Sequence, residues 1–199
     1  MIEFLKGYED YFGDWVWEML IASLVTMELM LLSFILACAL GLVIALMRIS
    51  QFSVLSGLTK VYIGFFRGVP VLVILYWIYF AMPELGYKIL LISSFTAAVL
   101  GLGIHGSAFL AEVFRSGIEA LDHGQMEAAL SLGMTPSRAL RFIILPQAAR
   151  VVLPPMANYS VGLLKETALC SIIAVPELML RAKDVASSKI GRASCRERV

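Results

Sequence analysis

The sequence predicts an all-α integral membrane protein, and three observations lead to that prediction. The first is the composition, since 60% of the residues are hydrophobic and only 16% are charged. The other two are long runs without any charged residue, Leu29 to Met47 and Ile89 to Ala111. A membrane-spanning helix needs about 20 consecutive apolar residues. A core helix of a soluble protein seldom runs that far without a charge on its wet face.

The chain begins with a segment that differs from a cleaved leader. Residues 1–19 are acidic and rich in aromatic side chains, whereas a signal peptide begins with basic residues. We therefore expect an extracytoplasmic N-terminal segment over 1–19 and an uncleaved first span after it. The net charge of +1 gives no reason to expect a nucleic-acid partner, and the three cysteines show no pairing pattern.

The first two spans are predicted from apolar runs at about 20–47 and 61–82. Small residues recur every four positions in the first span, at Ala37, Gly41 and Ala45. Such a stripe lets another helix approach closely. In the second span, Pro70 predicts a distorted helix because proline has no backbone N–H to donate.

The third and fourth spans are predicted at about 88–112 and 143–164. The third contains "GLGIHGSA", whose small residues again suit close packing. The fourth contains Pro154 and Pro155, and we expect these prolines to break the helix. A broken helix exposes backbone groups that can coordinate a polar solute within the membrane. The residues that follow the break are therefore candidates for a substrate path.

The basic residues of the connections predict the orientation in the membrane. Seven of them fall on one side, namely Arg48, Lys60, Arg67, Arg115, Arg138, Arg141 and Arg150. The opposite side has only Lys6 and Lys88 in this part of the chain. Basic connections remain in the cytoplasm, so we expect the N-terminus outside and residues 115–150 inside. Arg181 and Lys183 then fall outside, against the rule.

A polar stretch separates the third and fourth spans and carries helix start and stop signals. Asp122 and Gln125 have the spacing of a capping box. Gly133 suits the left-handed residue that ends a helix. Thr135 followed by Pro136 suits the start of another helix. We therefore predict two short helices joined at "GMT".

Three interpretations of these two helices are open on the residues alone. They can be a linker that packs on its own spans, a docking element for a partner, or a DNA-reading helix-turn-helix. The last needs a basic recognition face, and Glu119, Asp122 and Glu127 nearly cancel the arginines of the stretch. The small side chains of Ala128 and Ala129 leave room for a partner surface to come close.

The same stretch resembles the EAA loop of ABC importer permeases, which has Glu-Ala-Ala, three residues, Gly, nine residues and Ile-x-Leu-Pro. The matching residues are Glu127, Ala128, Ala129, Gly133, Ile143, Leu145 and Pro146. The segments "FFRGVPVLVILYWIYF", "AEVFRSGIEAL" and "LPPMANYSVGLLKETALCSIIAVPEL" resemble the polar amino-acid uptake branch of that family. The resemblance covers about residues 15–188. It implies a MetI-like bundle of about five transmembrane helices, with a permease domain at about 20–188.

In that family the loop, here at about 115–146, couples the permease to a separate cytoplasmic ATPase dimer. The resemblance assigns this coupling to Glu127, Ala128, Ala129, Gly133, Met134 and Pro136. It also implies a second permease subunit, an extracytoplasmic solute-binding protein, a polar amino-acid substrate and a multi-pass location in the cytoplasmic membrane. The chain contains no Gly-x-x-x-x-Gly-Lys-Ser/Thr phosphate loop, so we expect ATP on the partner, and no enzymatic activity or cofactor here.

Ionisable residues within spans are costly, and they usually face a cavity or a partner. The candidates for a substrate path are Arg67, Asn158, Glu166 and Thr167. The Glu166 carboxylate can bind the ammonium of an amino acid. The Asn158 amide and the Thr167 hydroxyl can bind either its ammonium or its carboxylate. Two alternatives stay open. Arg67 can extend to the inner interface instead of serving a helix interface or gate, and Glu166 can pair with Lys165.

Two further features bear on these assignments. Glu112, near the end of the third span, is predicted to form a salt bridge with Arg115, three residues on. Where the family usually has Asp and Ser, this chain has Glu166 and Ala168. That departure leaves the identity of the transported amino acid open.

The family pattern continues with a last span, whereas this sequence ends in "KIGRASCRERV". We therefore expect the last helix to be missing and residues 189–199 to be a non-native tail. Two rival functions remain. A secondary transporter needs internal repeats and coupling carboxylates within the spans, for which only Glu28 and Glu112 are candidates. A non-transporting membrane scaffold needs neither.

Overall fold

The computed structural model describes residues 9–50, 52–85, 92–120 and 123–187, and every regular element within those ranges is helical. The helices are α1 (Glu9–Ile49), α2 (Ser53–Gly68), α3 (Val71–Glu84), α4 (Ser94–Glu119), α5 (His123–Ser131), α6 (Pro136–Ala139), α7 (Leu145–Glu166) and α8 (Leu178–Val185). A π-helical turn, Leu140–Ile144, joins α6 to α7, and a 3-10 segment, Thr167–Ile173, follows α7. The predicted all-α class is confirmed. The predicted tail at 189–199 lies outside the described residues.

Among the residues that the structure describes, three helical stretches are long and apolar enough to cross a membrane: Trp15–Ile49, Ser94–Glu119 and Pro136–Ile173. The bent pair α2 and α3 makes a fourth if its two arms form one span. These four stretches correspond to the four predicted spans. Their ends differ from the prediction, since α1 begins at Glu9 rather than near residue 20 and α4 ends at Glu119 rather than near 112.

α1 and α4 pack with their backbones almost in contact. The buried face of α1 is Ala22, Thr26, Leu29, Ser33, Ala37, Gly41 and Ala45. A Cβ added at Gly41 would lie 3.0 Å from Leu110 Cβ and 3.1 Å from the Ser107 carbonyl oxygen. On the other helix, the space beside Gly103 is filled by Leu36. The predicted small-residue stripe is therefore confirmed as a helix-packing face.

α2 and α3 meet at an angle of 100°. Val69, between them, has an extended backbone with φ −91° and ψ 129°. A residue that precedes proline is pushed out of the helical region, and Pro70 then caps the start of α3. The sequence predicted one distorted helix at 61–82, whereas the structure has two helices, the first of which begins at Ser53.

α7 corrects one prediction, because Pro154 and Pro155 do not break it. The helix continues through both prolines as far as Glu166. Each proline only deprives one carbonyl of its helical donor, which a membrane helix tolerates when its surroundings satisfy that group. The regular helix instead ends where it tightens into the 3-10 segment Thr167–Ile173.

The 3-10 segment is part of the main apolar core. The core cluster takes residues from α1, α3, α4, α7 and the segment after α7, among them Leu29, Leu75, Leu102, Leu163, Cys170, Ile173 and Val175. Leu163 and Val175 are completely buried on either side of the 3-10 segment. The end of α7 is therefore held against the bundle rather than exposed as a loop.

Candidate functional site

The turn between α5 and α6 has the left-handed glycine that the sequence predicts. Gly133 has a φ of +80°. Its N–H donates to the Leu130 carbonyl at 2.9 Å, and the Met134 N–H donates to the Ala129 carbonyl at 3.1 Å. These two bonds close the end of α5. Thr135 stands at the N-cap of α6 with an extended backbone, but its side chain caps nothing, which corrects the predicted side-chain cap.

The predicted coupling residues differ in their exposure. Ala129 is only 2% exposed and packs inward. The exposed ones are Glu127, Ala128, Gly133 and Pro136, and Met134 is half-buried. Of the two alanines, only Ala128 is therefore open to a partner. Gln125 is exposed, and Asp122, its predicted capping-box partner, lies outside the described residues.

Large apolar side chains around the turn are exposed. They are Leu130, Leu132, Leu140 and Phe142. Leu132 is 83% exposed and Phe142 is 65% exposed. The Arg141 guanidinium lies 5.7 Å from the centroid of the Phe142 ring. Their exposure could have been predicted from the sequence, because these apolar residues lie in a stretch that is otherwise too polar to be buried.

The C-terminal end of α4, which leads into α5, is held by charge pairs. Arg115 Nε donates to both carboxylate oxygens of Glu112 at 3.1 Å. The other guanidinium nitrogens pair with Glu112 and Glu119. The predicted Glu112–Arg115 salt bridge is confirmed and extends by one further carboxylate. One arginine thus joins the last two turns of α4 on one face.

The second candidate site lies where α7 becomes the 3-10 segment. The Oε2 atom of Glu166 is buried and has no hydrogen-bond partner among the described residues. Lys165 is exposed, and no ion pair joins it to Glu166. Thr167 is 1% exposed, and its hydroxyl donates to the Leu164 carbonyl at 2.7 Å. The Lys165–Glu166 pair, an open alternative from the sequence, is therefore absent.

The four predicted substrate-path residues lie on two helices and on the segment after α7. Glu166 and Thr167 are neighbours, whereas Asn158 is exposed farther back on α7 and Arg67 is exposed in the last turn of α2. The structure adds Tyr159, whose hydroxyl is also buried without a partner among the described residues. The Tyr159 ring stacks on Phe109 with centroids 5.0 Å apart. Its position seven residues before Glu166, on the same face of α7, was a usable signal.

Residues 174–177, which we call the elbow, follow the 3-10 segment and lead the chain into α8. Ala174 adopts a left-handed conformation with φ 60°. Glu177 is 1% exposed and caps α8, since its carboxylate accepts the N–H groups of Met179 and Leu180, both at 2.8 Å. Lys183 Nζ reaches back to donate to Ser171 Oγ at 3.2 Å. The elbow is therefore a closed, hydrogen-bonded unit directly after the Glu166 region.

Comparison with known proteins shows to which family this chain is similar. Residues 37–185 match the family described as "Binding-protein-dependent transport system inner membrane component". The "Probable amino-acid permease protein YxeN" of Bacillus subtilis (strain 168) is 40% identical over 182 residues, which cover 87% of this chain and 81% of that protein. The "Probable amino-acid ABC transporter permease protein PatM" of Vibrio harveyi is 41% identical, covering 82% of this chain and 73% of that protein.

A solved structure has a similar fold. It is described as "Crystal structure of an amino acid ABC transporter with histidines", and it superposes with a TM-score of 0.79 at 37% sequence identity. The match covers 88% of this chain and 80% of that one. The helical arrangement described above is thus similar to that of a chain in a solved amino acid ABC transporter.

Proposed function

The chain belongs to the family of binding-protein-dependent transport system inner membrane components, and from that membership we propose that it is the permease subunit of an ATP-driven importer of polar amino acids. It is a multi-pass helical protein of the inner membrane. The observation that carries the proposal is the turn at Gly133, a left-handed glycine between two short helices in the part of the chain that resembles the EAA loop. The amino-acid substrate is supported by relatives named as amino-acid permeases.

The proposed docking surface for a cytoplasmic ATPase dimer is the coupling patch, by which we mean Leu130, Leu132, Leu140 and Phe142. Exposed apolar residues such as Leu132 and Phe142 favour a partner with an apolar groove, because a short helix presents such anchors to a groove. Exposed polar groups such as Glu127 and Arg138 suit the rim of that interface. The chain has no phosphate loop, so the partner binds the ATP. A shift of the docked α5 and α6 then acts on α4 and α7, because α5 and α6 connect these two long helices.

The importer needs further partners. A second permease subunit shares the path, because a bundle of four or five helices is too small to enclose one. A solute-binding protein delivers the amino acid from outside. The basic connections favour an N-terminus outside the cell. Arg181 and Lys183 oppose this rule; Arg181 lies 3.6 Å from Asp184, and Lys183 donates to Ser171.

Glu166 is the proposed substrate-path residue with the strongest support. A buried carboxylate oxygen without a partner is costly within a protein. A substrate ammonium that arrives during transport would satisfy it. The support no longer comes from a proline break but from the change of helix type directly after Glu166. Thr167, Asn158 and Arg67 remain proposed participants with weaker support.

Uptake into proteoliposomes tests the proposed function. The chain is reconstituted with its ATPase, a solute-binding protein is added outside, and labelled amino acids are supplied with or without ATP inside. We expect uptake that requires ATP and survives an ionophore. Uptake that proceeds without ATP and collapses with the ionophore would establish the secondary transporter instead. The absence of uptake for all polar amino acids would favour the scaffold.

A further inference from the structure

Two hydroxyl groups and one carbonyl link α2 to α4 inside the bundle. The Tyr62 hydroxyl lies 2.8 Å from Ser107 Oγ and donates to the Ile104 carbonyl oxygen at 3.2 Å. Ser107 Oγ also donates to the Ile104 carbonyl, at 2.7 Å. Two hydroxyl protons therefore serve three oxygen–oxygen contacts. The bond from Ser107 to the Ile104 carbonyl lies within α4 and does not need Tyr62. The two contacts that join α2 to α4 are both made by the Tyr62 hydroxyl.

α2 has little else to hold it. Its buried residues are only Thr59 and Ile63. Most of its large apolar side chains are exposed, namely Val54, Leu58, Val61 and Phe65. At its start, Arg48 of α1 donates to Ser56 Oγ at 2.9 Å. Since so few of its residues are buried, the polar contacts with α1 and α4 are a large part of what holds α2 in the bundle.

Ser107 lies in the most tightly packed part of α4. It is completely buried, and its carbonyl faces the close approach of Gly41 on α1. Farther along, α4 carries the Glu112–Arg115–Glu119 cluster and then leads into α5 and the turn at residues 132–135, which we call the coupling turn. A displacement of the coupling turn is therefore passed to α4 through α5, as it is passed to α7 through α6. Tyr62 is the polar contact that connects this helix to α2 and, beyond the bend, to α3.

We propose that Tyr62 is a positioning residue for transport, whose hydroxyl fastens α2 to α4 so that a movement of the coupling turn carries the bent α2–α3 pair with it. The coupling role of that turn is part of the proposed function, on which this inference rests. The contact itself, between a tyrosine on one helix and a buried serine and carbonyl on another, is a property of this chain and can be measured without any partner.

The first measurement is amide hydrogen exchange of the full chain in lipid nanodiscs. Tyr62→Phe removes only the hydroxyl, and Tyr76→Phe is the matched control, because Tyr76 makes no hydrogen bond among the described residues and its ring lies beside that of Phe80. We expect the α2 amides of Tyr62→Phe to exchange about threefold to twentyfold faster, the range that follows from about 0.6–1.7 kcal/mol per interhelical hydrogen bond in membranes. The Tyr76→Phe amides should exchange as in the parent chain.

Ser107→Ala extends this test to a cycle of variants. Alone it should accelerate exchange less than Tyr62→Phe, because Tyr62 can still donate to the Ile104 carbonyl. In the Tyr62→Phe background it should add nothing to the exchange of α2, since the interhelical contact is already lost. Parent-like exchange in Tyr62→Phe would overturn the inference. Equal acceleration by Tyr62→Phe and Tyr76→Phe, or full additivity with Ser107→Ala, would overturn it as well.

The second measurement is the amount of amino acid imported per ATP hydrolysed in proteoliposomes. We expect Tyr62→Phe to lower this ratio severalfold while ATP hydrolysis and assembly stay within twofold of the parent complex. An unchanged ratio would remove Tyr62 from the coupling path. If the parent chain shows no ATP-driven uptake at all, the proposed function fails instead, and the exchange data still decide whether Tyr62 fastens α2.

Discussion

The backbone N–H of Leu178 donates to the hydroxyl oxygen of Thr26 across 3.1 Å, which joins the start of α8 to the side of α1. The same hydroxyl donates to the Ala22 carbonyl at 2.9 Å, so both roles of the Thr26 oxygen are used. The side chain is 8% exposed. A threonine in the first half of α1 thus holds the elbow that follows the Glu166 region.

Thr26→Val should loosen this elbow selectively. Valine has the same shape but cannot accept the Leu178 N–H, and a hydrogen bond of this kind contributes about 0.5–1.5 kcal/mol. We expect faster hydrogen exchange at Leu178 through Leu180 and little change in α4. Thr26→Ser keeps the hydroxyl and serves as the control. If both variants exchange alike, the hydrogen bond does not hold the elbow.

Gly133→Val should uncouple ATP hydrolysis from transport. Valine in a left-handed conformation costs about 1–3 kcal/mol, so the turn between α5 and α6 will shift. We expect import per ATP hydrolysed to fall about tenfold, as 1.4 kcal/mol corresponds to tenfold, while membrane insertion stays intact. Gly13→Val is the control, because that helical glycine is exposed and has nothing within 4 Å. Full transport by the Gly133 variant would count against docking through this turn.

A cysteine at position 132 should report the orientation of the chain. Leu132 is 83% exposed, and the basic connections favour the cytoplasm for this stretch. In a chain in which Cys38, Cys170 and Cys195 are replaced by alanine, Leu132→Cys should react with a membrane-impermeant maleimide only after the cytoplasmic face is opened. Gly13→Cys should react from outside. The reverse pattern would invert the orientation and remove the coupling assignment with it.

Glu166→Gln should weaken transport without disturbing ATP hydrolysis. If the carboxylate pairs with a substrate ammonium, its loss should cost about 1.5–3 kcal/mol, which is about 10- to 100-fold in apparent affinity. Basal ATPase activity should remain near that of the parent complex. Glu28→Gln is the control, because Glu28 is an exposed carboxylate on α1.

Two other outcomes would separate the roles of Glu166. Unaltered uptake by Glu166→Gln at normal expression would take Glu166 out of the substrate path. Poor assembly with an equal loss of uptake and ATP hydrolysis would mean that the carboxylate is structural. In that case its unpaired oxygen would have to find a partner in the assembled complex.

Local signals predicted the helix packing and the coupling turn well. The Ala37, Gly41 and Ala45 stripe could be identified from spacing alone, because only small side chains let two membrane helices touch. Gly133 could be identified because a left-handed residue after a helix is usually glycine. Both predictions concern short-range sterics, which the residues nearby determine.

The features that could not be predicted depend on the surroundings of a residue. Pro154 and Pro155 signal a break, but α7 continues through both. Pro70 signals a distortion, but it does not specify the 100° angle between α2 and α3. The unpaired oxygen of Glu166 could not be predicted from the sequence either. The neighbouring Lys165 suggests a salt bridge, but adjacent residues of a helix point in different directions and the pair does not form.

The length of α1 links the protein to the thickness of its membrane. From Trp17 to Arg48 the helix rises about 46 Å at about 1.5 Å per residue, which is close to the ~40–45 Å of a bilayer with its headgroups. Tryptophan and arginine are both anchors for the membrane–water interface, and Trp17 is exposed. An upright α1 therefore satisfies both interfaces at once, whereas a thinner bilayer forces it to tilt. Because α4 packs along α1, a tilt of α1 moves α4 with it, so bilayer thickness bears on the position of both helices.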